Sequence, residues 1–134
     1  MLSNVVPPSP REWRLIHWVL WATLGLALLA AVTTYDDYGA TFDEAIQAEY
    51  GELAVDYFDS GGEDVRCNEF RDLRFYGPLI EMLPVLMYRD TDLNKYVVRH
   101  LLLGLLAVFM IPAIWLYGRQ FADPRVAAFA VLAV

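Results

Sequence analysis

Residues 15–35 read LIHWVLWATLGLALLAAVTTY, 21 residues without an Asp, Glu, Lys or Arg. A helix needs about 20 such residues to cross roughly 30 Å of hydrocarbon, so the stretch predicts a membrane span. A second run, HLLLGLLAVFMIPAIWLYG at 100–118, adds 19 residues free of acid, lysine and arginine. A third, VAAFAVLAV at 126–134, is still apolar at its last residue. The whole chain has 134 residues, is 57 % hydrophobic with a mean hydropathy of +0.36, and still carries a net charge of −7. Apolar and charged residues are therefore segregated along it. The expected fold class is all-α, a polytopic integral membrane protein. Its expected parts are a tail at 1–14, spans at 15–35 and 98–118, a loop at 36–97, a turn at 119–125 and the opening of a third span at 126–134. The unfinished third run predicts the N-terminal part of a longer multi-spanning protein.

The first span has a basic lead in Arg11 and Arg14, as a signal peptide would. Its apolar core is longer than the ~7–15 residues of such a segment, and no small-x-small cleavage site precedes Asp36, so it reads as an anchor. Lys and Arg in short flanks set orientation. Arg11 and Arg14 precede span one, and Arg119 and Arg125 follow span two. The 62 residues between, Asp36–Val97, hold 15 acids against five Lys or Arg. The N-terminus and the 119–125 turn are thus expected in the cytoplasm of a plasma, inner or endoplasmic-reticulum membrane, and the acidic loop outside. Lys95 and Arg99 at the outer end of span two oppose this bias. The acidic balance argues against nucleic acid as a partner, and the lone Cys67 cannot close an intrachain disulfide. No nucleotide, zinc, calcium or Asn-x-Ser/Thr pattern occurs.

MLSNVVPPSP (1–10) reads as a proline-rich, disordered tail. Trp13, Trp18 and Trp21 suit the headgroup region, and His17 reads as an interfacial residue. In the loop, Phe42, Ala45, Ile46, Tyr50, Leu53, Ala54 and Tyr57 recur at helical spacing and predict an amphipathic helix over about 41–58, closed by Asp59-Ser60-Gly61-Gly62. After Gly77-Pro78, LIEMLPVLMY (79–88) predicts a second apolar helix. It is too short to span and suits the membrane surface or the helix before it.

Asp43-Glu44 admits two explanations. With Thr41 as N-cap, Glu44 falls at N3 of a T-x-x-E capping box, and both acids offset the helix dipole. Asp43 also lies only eight residues past the end of span one. A carboxylate at the outer membrane surface meets lipid-linked substrates and aqueous acceptors and can take a proton from an attacking hydroxyl or amine. Asp36 and Asp37 mark the polar exit of the span.

TFDEA (41–45), RFYGPL (74–79) and RHLLLGLLAVFMIPAIWLYGRQFADPRVAAFAVLAV (99–134), in this order and spacing, resemble the start of the GT-C membrane glycosyltransferases. The nearest likeness is to the protein mannosyltransferase and aminoarabinose transferase group, which uses polyprenyl-phosphate sugars. The resemblance covers most of residues 15–134. It implies transfer of a sugar from a dolichyl- or undecaprenyl-phosphate donor to an acceptor on the external or lumenal side. Asp43 would be the catalytic carboxylate, with Glu44 beside it. The departing lipid phosphate needs positive charge or hydrogen-bond donors. Some members supply a lysine from a Lys-Pro-Pro-Leu motif, where this chain has Tyr76-Gly77-Pro78-Leu79. Arg74, Tyr76, Arg99 and His100 are the candidates for that role, with snorkelling from the span end as the alternative for Arg99. The family's second acidic site, in a later external loop, would lie past Val134. No metal cluster is visible, and a divalent cation in the complete enzyme stays open.

Two non-enzymatic readings compete. One is a small membrane subunit or scaffold with the acidic loop as a docking surface. The other is part of a transporter or channel, against which stands the lack of a mid-membrane acid or base in either span.

Overall fold

The computed structural model describes residues 6–133; residues 1–5 of the expected tail, and the last residue of the third apolar run, lie outside the described residues. Five α-helices follow one another, and no strand occurs among the described residues. They are α1 (Pro10–Thr34), α2 (Phe42–Asp59), α3 (Leu79–Tyr88), α4 (Lys95–Phe121) and α5 (Pro124–Leu132). Two short 3₁₀ turns, Arg66–Glu69 and Asp72–Phe75, lie between α2 and α3. The chain divides into two compact units, Tyr35–Leu102 and the helical segments on either side of it in sequence.

In the flanking unit, α1 and α4 are the two helices long and apolar enough to cross a membrane, with 25 and 27 residues. Only 6 % and 17 % of their most apolar windows are buried. A core helix of a soluble domain would be covered; here Trp18, Trp21, Leu26, Phe109 and Phe129 of α1, α4 and α5 stand exposed. α1 begins at Pro10, ahead of the expected span. Ser9 and Glu12 form a reciprocal pair there, the Ser9 amide on Glu12 Oε2 (2.7 Å) and the Glu12 amide on Ser9 Oγ (3.3 Å). With Pro10 at the first helical position, this is a capping box on a pre-set φ, present in the sequence as S-P-R-E. Asn94 similarly starts α4 by accepting from the Tyr96 amide (2.9 Å). Asp123 caps α5 through the Arg125 amide (2.7 Å), leaving only Ala122 and Asp123 between the last two helices. Ile16, Ile111, Trp115, Ala127, Ala128 and Val131 form the core of this unit. Gly104 faces the Ala31 methyl and Gly118 that of Ala127, so small residues allow close helix approach. The Arg125 guanidinium spans both Glu12 carboxylate oxygens (3.0 and 3.1 Å).

The other unit is built on α2 against α3. Along α2 the buried positions are Glu44, Ala48, Tyr50, Gly51, Ala54 and Val55. The stripe read from the sequence is therefore displaced: Phe42, at 88 % exposed, and Ala45 face outward. The reason is size. A Cβ on Gly51 would run into the Glu81 backbone, so α3 approaches where α2 is smallest, not where it is most apolar. On the adjoining face Tyr50, Ala54 and Cys67 form a core with Leu53, Tyr57, Phe70, Leu73 and Met82 around it. Gly61 and Gly62, at φ +68° and +90°, end α2 in the left-handed region that glycine tolerates. Their amides bond back to Phe58 O (3.0 Å) and Tyr57 O (2.8 Å).

Candidate functional site

The N-terminal half of α2, the second 3₁₀ turn and the start of α3 enclose a groove of about 430 Å³. Asp43, Ile46, Gln47 and Tyr50 line one wall; Asp72, Leu73, Tyr76, Gly77 and Glu81 line the other. The α2 residues stand at i, i+3, i+4 and i+7, a single helix face. Three carboxylates and two phenols therefore share one depression. The Tyr50 hydroxyl donates to the Tyr76 carbonyl (3.2 Å), tying the walls together. Burial, with Cys67 and Glu81 nearby, raises the Tyr50 pKa, so its hydroxyl stays a donor.

Asp43 and Glu44 are adjacent in sequence but differ in surroundings, because successive helix residues point about 100° apart. Asp43 is exposed on the groove wall. Glu44 is 8 % exposed, and both of its oxygens are engaged. Oε2 accepts from the Thr41 amide (2.7 Å), which completes the capping geometry, and Oε1 faces His100 Nε2 (2.7 Å). Burial pushes the Glu44 carboxyl up, but the Thr41 amide and His100, with Arg99 beyond, outweigh it and hold it below its ordinary value. His100 reaches on with Nδ1 to the Tyr35 carbonyl (3.2 Å), and the Tyr38 ring meets it edge-on at 5.9 Å.

Arg99 is 5 % exposed and lies behind the groove. Its guanidinium donates to the Glu81 carboxylate and to Gln47 Oε1 (2.7 Å), two groove residues, while Nε has no partner among the described residues. Arg74 is exposed and stacks its guanidinium over Phe75, 4.8 Å from the ring centroid. Tyr76 is exposed at the groove rim.

The structure thus brings Asp43 and Tyr76 to one groove, and binds Glu44 to His100. It connects Arg99 to the groove through Gln47 and Glu81, and leaves Arg74 outside the lining. Reading the sequence missed Gln47, Tyr50, Asp72 and Glu81. Glu81 carried a signal, being the one charge within LIEMLPVLMY; Asp72 carried none. Among the described residues no three His, Cys, Asp or Glu side chains converge as a metal-binding group. Asp43, Asp72 and Glu81 share the groove without forming such a set.

No protein family, curated protein or solved structure matches this chain.

Proposed function

We propose that the chain is part of a polytopic membrane glycosyltransferase that moves a sugar from a polyprenyl-phosphate carrier to an acceptor. In this reading α1 and α4 cross the bilayer, the N-terminus is cytoplasmic and residues 36–97 face outward, where they meet donor and acceptor. One observation supports it most: Asp43, exposed on a groove at the start of α2, sits beside a Glu44 whose two oxygens are both engaged. A carboxylate held on a fixed helix start can orient an acceptor hydroxyl or amine and take its proton as it attacks the anomeric carbon. Glu44 is then a fixing group for the helix start. The exposed Tyr76 hydroxyl offers a hydrogen bond to sugar or acceptor, while that of Tyr50 is engaged by the Tyr76 carbonyl. Arg74 is the exposed cation for the departing lipid phosphate. Arg99 and His100, both engaged inside the unit, would serve that phosphate only by holding the wall.

This part alone should be inactive, so the test is transfer by membranes bearing the full-length protein, supplied with a panel of labelled polyprenyl-phosphate hexoses and pentoses. Asp43→Asn should abolish transfer and Asp37→Asn leave most of it. Full transfer by a well-expressed Asp43→Asn protein would sink the assignment.

A further inference from the structure

His100 stands between two acceptors. Nε2 lies 2.7 Å from Glu44 Oε1 and Nδ1 lies 3.2 Å from the Tyr35 carbonyl. A neutral imidazole has one N–H and can donate to only one of them; the imidazolium donates to both. A protonated Glu44 donating to a neutral ring would also fit Nε2. It is disfavoured because Glu44 Oε2 already accepts from the Thr41 amide and Arg99 lies close by.

We propose that His100 is a protonation-dependent clasp. As the imidazolium it holds residues 35–44 against the first turns of α4, and on losing a proton it releases one of its two bonds. The groups that face it are Glu44 from α2, the Tyr35 carbonyl and the Tyr38 ring from the turn, and Arg99 beside it on α4. From α3, Glu81 is taken up by Arg99, and in the turn Asp36 and Asp37 are exposed. The two side chains of the Glu44–His100 pair are only 10 % and 11 % exposed, and one residue earlier on α4 Arg99 holds Gln47 of α2 (2.7 Å). The clasp joins residues separated by 56 and 65 positions in sequence and holds the 35–44 segment at its two ends, Tyr35 and Glu44. Asp43 is carried on that segment. Whatever the groove binds, its α2 wall would be set by the protonation of a residue outside it. The inference does not depend on sugar transfer.

The experiment uses the whole chain in lipid nanodiscs, with imidazole ¹⁵N shifts and amide exchange followed between pH 5 and 9. The chain has two histidines, and His17→Gln assigns the His100 signal. As His100 loses its proton, protection factors for amides 35–44 should fall roughly tenfold, the effect of one lost hydrogen bond to a charged group. Those for residues 48–58 should hold. In His100→Gln the same amides should be weakly protected at every pH. Protection that ignores the imidazole titration would overturn the clasp. So would protection that changes only in the carboxylate range, since Glu44 alone would then carry it.

Discussion

At the scale of single residues, charge placement is what distinguishes this chain. Glu44 titrates below its ordinary value because the Thr41 amide and His100 favour its ionised form. A depressed folded-state pKa gives stability that is fully present above the unfolded carboxyl value of about 4.3 and is lost as the pH falls through the folded one. Thermal unfolding should therefore show the wild type losing more stability than Glu44→Gln on acidification below about pH 4. Identical acid profiles would remove Glu44 as the source. Arg99 and Glu81 make a different case, a largely buried pair whose desolvation offsets much of its attraction. Glu81→Leu should destabilise the 35–102 unit by roughly 3 kcal/mol, because it strands a buried guanidinium. Adding Arg99→Met should recover most of that loss, and a double variant no better than the single would show that the charge was not the cause. The Arg66 and Arg89 pairs with Asp56, Asp59 and Asp64 lie at the surface, where solvent screening and side-chain entropy leave such pairs little net effect.

Among the elements, the decisive junction is Gly51 of α2 against the Glu81 backbone of α3. A methyl there meets main chain that cannot rotate away. Gly51→Ala should lower stability by roughly 2 kcal/mol despite alanine's better helix propensity. Gly39→Ala, whose methyl meets open space, should leave the melting temperature unchanged within a degree or so. A Gly51→Ala protein as stable as the wild type would mean that α2 and α3 do not pack this closely. Helices at 42–59 and 79–88 were legible from periodicity and from the Thr41 and Gly61-Gly62 signals. The packing face of α2 was not. Apolar character pointed to Phe42 and Ala45, whereas α3 selected the small side of the helix, and a glycine has no hydropathy to announce itself.

For the whole molecule, the testable statement is which surfaces meet water on which side. A Glu63→Cys label, at an exposed site in the 36–97 segment, should react with an impermeant maleimide applied to intact cells or right-side-out vesicles. Gln120→Cys, near the end of α4, should react only after permeabilisation. The native Cys67 is buried and gives a low background. The reverse pattern would invert the proposed topology, and labelling of both sites from one side would place α4 outside the bilayer. Sequence alone determined that the chain is helical and carries two segments long and apolar enough to cross a membrane. Charge segregation and 3.6-residue periodicity are local properties, written in consecutive residues. Only the tertiary structure decided which of Asp43 and Glu44 is exposed and which partners Arg99 and His100 take. Neighbours on a helix point in different directions, and their partners outside the local turn lie 18 to 65 positions away. Whether a carboxylate is exposed to a groove or closed onto an imidazole depends on which distant segment packs beside it, and no local pattern encodes that.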